Sequence, residues 1–370
     1  MYIVASHVAY SREGEEIFGP ANNICDFFSR KKEQFIFIKH CLYGQKQTEI
    51  LKNGEIIKTG KFYNRNIFIR SIEEVIINIK NKDAATIFIG IDPMNGLSGV
   101  ILKIFKKIDK FIYLTPDYTE TRFKNIILNK VYHFIDRVCL KSADECWAVS
   151  TRIMQKRKGQ GLPNFKNKLL PNSPDFNSIK RREYDGNKNL IIVSPLSEAL
   201  DFEFVIKIMQ SIINNYNEVK LQIVGSGAKE EYFKKMVLDN HLEDNIIFLG
   251  WRNHDEVLDI LVKSFIGFAL YTKNLSWNKY GDSMKAREYV ACGLPVIISD
   301  IPSNADDIKE YNAGLVVSDF GEIEVERIKL FIEKCITDID FYNHIKNNAT
   351  RLGKDFDKDK ILNELLGFNN

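Results

Sequence analysis

The sequence predicts an α/β protein of two domains, each a parallel sheet with helices on both faces. Three observations lead there. Short apolar, β-branched runs alternate with helical patterns along most of the chain, the order that builds parallel sheets. The 370 residues exceed what one core ordinarily fills. Near the middle, Leu169-Leu170-Pro171-Asn172-Ser173-Pro174 breaks the alternation with two prolines and reads as the domain connection. The expected boundaries are residues 1–172, 173–352 and 353–370, the last carrying a helix that crosses back to the first domain.

In the first domain, Tyr2 to Val4 opens a buried strand. A polar segment from Arg12 to Pro20 leads through Ala21-Asn22-Asn23 into a helix ending near Arg30. Its Gly-Pro step marks a turn, either a plain connection or the lining of a cleft. Gln34 to Ile38 is a second strand, Asn53-Gly54 a hairpin signal, and Asn66 to Arg70 a further strand. Ser71 to Lys80 is helical. Thr86 to Gly90 is an apolar strand running into Ile91-Asp92-Pro93-Met94-Asn95-Gly96, the kind of strand end where open α/β sheets bind ligands. Leu97 to Phe105 is helical, and Phe111 to Leu114 is a strand followed by Thr115-Pro116-Asp117-Tyr118-Thr119. Phe123 to Ser142 is an amphipathic helix, with Ile127, Val131, Phe134 and Val138 on one side and Lys124, Lys130, Arg137 and Lys141 on the rest. Such a stripe suits a membrane surface. More often it packs on its own sheet, and that is the expectation adopted. Glu145 to Val149 is a strand, and Ser150-Thr151-Arg152 opens the next helix.

In the second domain, Asn189 to Val193 is a strand and Phe202 to Asn214 a helix. Lys220 to Val224 is a strand ending in Gly225-Ser226-Gly227, a weak phosphate signal strengthened by its place. Glu230 to Asn240 is helical, and Asn245 to Leu249 is a strand ending in Gly250-Trp251-Arg252-Asn253. Asp255 to Lys263 is a helix and Ile266 to Leu270 a strand. Helices follow from Ile323 to Ile336, from Phe341 to Leu352 and from about Asp357 to Leu366.

Between them lies the most informative stretch, Tyr280 to Asp300. Asp282 or Ser283 can cap a helix of about ten residues that stops at Gly293, where glycine suits a left-handed position. Val296-Ile297-Ile298 is then a buried strand. Lys285 and Arg287 lie in the helix's first turn, where cations are mildly unfavourable unless an anion sits there. Glu288 shares a face with Lys285 and can accept from a ribose diol. A diphosphate at the helix tip and a sugar one turn along is one reading. An ordinary surface Lys–Glu pair is the other, and spacing alone favours it.

Composition bounds the function. With 45% hydrophobic and 27% charged residues the chain is globular, and a net charge of +3 carries no nucleic-acid footprint. Cys25, Cys41, Cys139, Cys146, Cys292 and Cys335 form no C-x-x-C pair, which fits a reducing compartment and speaks against a zinc module. There is no signal-peptide pattern at the start and no apolar run of about 18 residues. The expectation is a soluble cytoplasmic protein with room for peripheral contact at the inner face of a membrane.

The segments LLPNSPDF (169–176), LQIVGSGAKEEYFKKMVLDNHLEDNIIFLGW (221–251) and DSMKAREYVACGLPVIISD (282–300) resemble, in that order, the nucleotide-sugar half of family 4-type (group 1) glycosyltransferases of the GT-B fold. The first domain resembles them more weakly, at GIDPMNGLSG (90–99) and over residues 117–152. The resemblance implies two Rossmann-like domains facing a central cleft, the first binding the acceptor and the second the nucleoside diphosphate sugar. It implies transfer with retention of anomeric configuration and no metal. Carried over by position, Glu288 holds the ribose hydroxyls, while Ser283, Met284 and Lys285 sit at the diphosphate. Gly225 and Gly227 admit the nucleotide, Trp251 and Arg252 border the base, and Asp117 lies beside sugar and acceptor.

Three departures stand out. Tyr280 occupies the first of two positions, eight apart, that are acidic in many members. Residues 193–204 (VSPLSEALDFEF) lack the Arg and Lys many members carry there, although Glu198, Asp201 and Glu203 fit an E-x-x-D-x-E-like pattern of some bacterial relatives. Asp117 stands where a His is common. Two other classes stay open: a nucleotide-sugar epimerase of the same fold, and a non-catalytic partner subunit.

Transfer requires charge stabilisation on the leaving diphosphate, which falls to Lys285 and the helix start. The expected partners are a nucleotide sugar and a glycan or lipid-linked acceptor, in surface polysaccharide or glycoconjugate synthesis. Asp338-Ile339-Asp340, Asp355-Phe356-Asp357 and Asp357-Lys358-Asp359 lie late in the chain and read as solvated charge. His7 faces a cleft or is a bonded structural histidine; His133 reads as structural.

Overall fold

The apolar run at the N-terminus forms β1 (Tyr2–Tyr10), the centre of a nine-stranded sheet. The computed structural model describes residues 1–10, 16–17, 19–41, 47–61, 67–81, 87–181, 186–272 and 279–368. Much of the segment expected from Arg12 to Pro20, and Asn66 and Thr86 at the starts of two expected strands, lie outside the described residues. The chain divides into two units: Met1–Pro171 with Leu362–Asn370, and Asn172–Ile361.

The first unit adds β2 (Glu16–Ile17), β3 (Phe35–Cys41), β4 (Gln47–Lys52), β5 (Glu55–Lys61), β6 (Ile87–Ile91), β7 (Lys110–Thr115), β8 (Glu145–Ala148) and β9 (Asn167–Leu169). Their order is β5-β4-β3-β1-β6-β7-β8-β9, with β2 antiparallel on β1. From β3 to β9 every pairing is parallel. Ile3 sits opposite both Ile36 and Phe88, all three buried, as fits a strand covered on both faces. β4 and β5 form an antiparallel hairpin at the edge, turning at Asn53 (φ 51°) and Gly54 (φ 92°), the two positive φ values of a tight hairpin. The parallel order reverses direction between β1 and β6, the point where open sheets bind ligands past their strand ends.

Two expectations for this unit are corrected. The strand expected from Asn66 to Arg70 is instead the start of a helix, Ile67–Lys80. A short apolar run does not distinguish strand from helix, and the helix continues with Glu74, Val75 and Asn78 buried at helical spacing. The second concerns helix Ile126–Ser142, whose stripe was expected on the sheet. Its buried residues are Asp136, Cys139 and Leu140, while Ile127, Val131 and Phe134 are exposed. Val138, the fourth residue of that stripe, does pack against the core beside Ile135, Cys139 and Leu140, and Asp136 on the same side accepts from Tyr113 Oη at 2.6 Å and from Arg157 Nη1 and Nη2 at 2.6 and 2.8 Å, a buried pair that anchors the helix to the unit.

The second unit has β10 (Asn189–Val193), β11 (Lys220–Val224), β12 (Ile246–Gly250), β13 (Ile266–Ala269), β14 (Val296–Ser299) and β15 (Gly314–Val317). All pairings are parallel, in the order β12-β11-β10-β13-β14-β15. In chain order this is 3-2-1-4-5-6, the doubly wound arrangement with its switch point between β10 and β13. β15 and the short helix Ala305–Glu310 before it carried too brief a pattern to be read from sequence. The last two helices are Ile339–Asp355 and Lys358–Leu366. Asp357 between them is buried, against the solvated reading. It accepts from Phe176 N and Lys360 N, each at 2.9 Å, joining the start of this unit to the first turn of the chain's last helix.

Candidate active site

Helix Met284–Ala291 follows the switch-point strand β13. Ser283 is its N-cap, accepting from Ala286 N at 3.2 Å, which leaves the N–H groups of Met284 and Lys285 without an intrahelical partner. Tyr271, just past β13, shares a 2.6 Å hydrogen bond with the Ser283 hydroxyl. Asn304 accepts from Ser283 N at 3.1 Å and donates to Ser283 O at 2.9 Å. The capping residue is thus fixed from two sides before any ligand arrives. At the other end Gly293 has φ 83°, with Gly293 N donating to Val290 O and Leu294 N to Tyr289 O, the paired bonds of a glycine stop.

Of the two expected cations, only Lys285 is available to an anion. Arg287 is buried and donates to Asp282 (Nη2 at 2.8 Å) and Asp307 (2.6 Å), and its guanidinium lies over the Phe356 ring. Asp282 accordingly does not cap the helix; it serves Arg287 and accepts from Asn172 N at 2.9 Å. Among the described residues, the Lys285 ammonium has no hydrogen-bond or ion-pair partner. Burial lowers its pKa, and the nearby Glu288 charge works the other way.

Glu288 is buried one turn along, and its Oε1 meets His254 Nε2 at 2.9 Å. That bond raises the pKa of His254 against partial burial. Sequence reading missed His254. The Asn253–Glu256 capping box that places it at a helix start is local and visible, but its meeting with Glu288 is not. The same loop carries Trp251 and Arg252, both exposed, and Gly250 O accepts from Gly225 N at 2.9 Å. Gly225, Trp251 and Glu288 are therefore linked around the C-terminal ends of β11 and β12.

Gly225 and Gly227 have a requirement of their own. A Cβ on Gly225 (φ 141°) would lie 2.0 Å from Ser194 O, and one on Gly227 2.3 Å from Leu196 O. Their freedom brings two loops of this unit together, whatever else they admit. In the segment lacking Arg and Lys, Asp201 caps helix Phe202–Ile213 and Glu198 lies 3.4 Å from Lys229. A cation from the next loop thus stands beside it.

In the first unit, Asp117 past β7 is exposed and paired with Arg122 at 2.5 Å. It lines a small pocket with Asp92, Tyr118, Tyr132, His133 and Arg157. His133 Nε2 lies 3.1 Å from Glu120 O. At the switch point, His7 is bonded: Nδ1 lies 2.5 Å from Asp92 Oδ2 and Nε2 3.0 Å from Glu74 Oε2. Burial lowers its pKa, but the two carboxylates overcome this and raise it to about 10. Asp92 holds φ 74°, rare for a residue with a Cβ, while accepting from Met94 N and Asn95 N.

Residues 175–352 match the family described as glycosyl transferases group 1. The match falls within the second unit, which is similar in sequence to that family. A Haemophilus influenzae protein named an uncharacterized glycosyltransferase is 24% identical over 201 residues, 54% of this chain and 52% of that protein. The chain therefore spans about half the length of the curated relative it matches. Crystal structures of HepE from Anabaena with UDP (14% identity, 99% of this chain and 98% of that one, TM-score 0.74) and with UDP-glucose (14%, 99% and 99%, 0.67) share its fold. So does WaaG, described as a glycosyltransferase involved in lipopolysaccharide biosynthesis (14%, 99% and 98%, 0.68). The fold of this chain is GT-B, two Rossmann-like units.

Proposed function

We propose that the protein transfers a sugar from a nucleoside diphosphate sugar, a uridine one by the likeness to HepE, to a hydroxyl of a glycan or lipid-linked acceptor in surface glycoconjugate synthesis. The observation that carries this is the Lys285 ammonium, without a hydrogen-bond or ion-pair partner among the described residues, beside two helix N–H groups that have no intrahelical partner, at a doubly wound switch point. As the C1–O bond to phosphate breaks, negative charge grows on the diphosphate, and these donors face it already oriented. The acceptor oxygen bonds to C1 on the same face, giving retention, and its proton passes to the leaving phosphate. Glu288, oriented by His254, accepts from the ribose hydroxyls. Gly225, Gly227, Trp251 and Arg252 surround the nucleotide, and Asp117 in the first unit serves the acceptor.

Glu288→Ala is expected to weaken donor binding about 10- to 100-fold, the worth of hydrogen bonds to a charged group, with the melting temperature nearly kept. Calorimetric titration with UDP-sugar measures it, and unchanged affinity would remove Glu288 from the site. Because Lys285 and the helix start supply the positive charge, activity should be the same in excess EDTA; a divalent requirement would contradict this mechanism. A panel of nucleotide sugars screened for thermal stabilisation identifies the donor. Acceptor-dependent release of the diphosphate separates transfer from epimerisation.

A further inference from the structure

We propose that Tyr271 belongs to the diphosphate site: its hydroxyl and that of Ser283 form a pair that gives one hydrogen bond to a phosphate oxygen of the nucleotide sugar. A count of protons carries this. The two oxygens lie 2.6 Å apart, and each hydroxyl has one proton. Their mutual bond takes one of the two, whichever side gives it. Ser283 Oγ also accepts from Ala286 N at 3.2 Å, which takes up a lone pair and no proton. The second proton has no acceptor among the described residues. It sits on Ser283 when Tyr271 gives the shared bond, and on Tyr271 when Ser283 does.

A buried hydroxyl proton without an acceptor is unfavourable. The enclosure here is close. Ser283 is 7% exposed, and burial pushes the Tyr271 phenol up to about 12. The phenol therefore keeps its proton at neutral pH and stays able to give it.

The surroundings choose the acceptor. Ser283 caps the helix whose Met284 and Lys285 N–H groups have no intrahelical partner, and the Lys285 ammonium lies at the same tip. All of these give hydrogen bonds. The carboxylate next to the cap, Asp282, is already engaged by Arg287 and by Asn172 N. A cluster of proton-bearing groups with a positive charge suits an anion of several oxygens, a phosphate. The pair is also set in advance. Tyr271 N donates to Ser299 Oγ at 2.9 Å, and Asn304 holds both the N–H and the carbonyl of Ser283, so neither backbone has to move when charge grows on the leaving group. The inference rests on the glycosyl-transfer reading and adds a residue to its site.

The test is calorimetric titration of the full chain with UDP in four proteins: wild type, Tyr271→Phe, Ser283→Gly and Tyr271→Phe/Ser283→Gly. Glycine is a tolerated N-cap, and a melting curve checks that each variant is folded. Either single variant keeps one hydroxyl able to reach phosphate and should lose no more than about fivefold in affinity, while the double variant loses the last one and should fall about 10- to 100-fold further, the worth of a hydrogen bond to a charged group. A Tyr271 that merely props the cap acts through Ser283, so Tyr271→Phe would then change nothing once Ser283 is glycine. That result would overturn the proposal. A Tyr271→Phe loss of equal size in both backgrounds would overturn it too, because it would mean two independent hydroxyls and no shared proton. Wild type that binds no UDP would remove the nucleotide-sugar reading together with this one; UDP binding that ignores Tyr271 in the Ser283→Gly protein removes this one alone.

Discussion

Lys285→Ala should lower turnover about 100- to 1,000-fold, the range found when one oriented charge-stabilising donor is removed. Donor affinity should fall less, because charge on the diphosphate grows as the bond breaks and the ammonium is worth most then. Folding should survive, since the Lys285 side chain has no hydrogen-bond partner among the described residues and its loss strands none of them. Arg287, two residues on, is the contrast. It holds Asp282 and Asp307, so Arg287→Ala would leave two carboxylates without their partner and damage the unit itself. Lys285→Arg keeps the charge on a broader, planar group and should recover only part of the rate. Burial lowers the Lys285 pKa, so activity should decline with rising pH before an ordinary lysine would titrate. Steady-state kinetics with a matched melting curve decide it. A Lys285→Ala enzyme with wild-type turnover would place the diphosphate elsewhere.

What the sequence made legible follows from the range of the signal. Strand β10 (Asn189–Val193) is a continuous apolar run after Asn189, and β11 (Lys220–Val224) is apolar but for Lys220 and Gln222; Ser194 and Gly225 follow them, so their ends could be read directly. The stop at Gly293 is equally local. The sense of Ile67–Ile69 was not, because three apolar residues fit either period and the deciding burial comes later, at Glu74 and Asn78. The inward face of Ile126–Ser142 was hidden for another reason. Hydrophobic periodicity presumes that one apolar stripe is buried, and here the inward side combines Ile135, Val138, Cys139 and Leu140 with the buried Asp136–Arg157 ion pair, while Ile127, Val131 and Phe134 stay outside. The site divides in the same way. Ser283, Lys285 and Glu288 lie within one helix and its cap, where spacing shows them together. Tyr271, Asn304 and His254 reach the same helix from 12, 21 and 34 residues away, and nothing local in the chain marks those meetings.

His7 in the first unit joins distant residues in the same way, and its removal should cost about 3–5 kcal/mol of that unit's stability, the range for breaking a buried ion pair. The ring is held between Asp92 and Glu74, and His7→Leu would leave both carboxylates facing an apolar side chain. Arg70 still reaches Glu74 at 3.0 Å, and Asp92 keeps its bonds to Met94 N and Asn95 N, so the lower end of the range is expected. The pH dependence is more specific. His7 has its pKa raised to about 10 when folded, against about 6.5 in the unfolded chain. Its stabilising contribution is complete below about pH 6.5 and is lost as pH rises through about 10. Between those values the folded state holds one more proton than the unfolded one, and stability falls by up to about 1.4 kcal/mol per pH unit. Glu74 and Asp92 run the other way: burial raises their pKa values, yet His7 draws them below the ordinary carboxylate range. Their contribution is present above about pH 4 and is lost as pH falls through their depressed values. Wild type should therefore be most stable where acids and ring are all charged, and His7→Leu should flatten the alkaline slope while lowering the whole curve. Urea melts of wild type and variant from pH 6 to 10 isolate the difference, because the other titrating groups are shared. Parallel alkaline slopes in the two proteins would mean that His7 is not charged between these carboxylates.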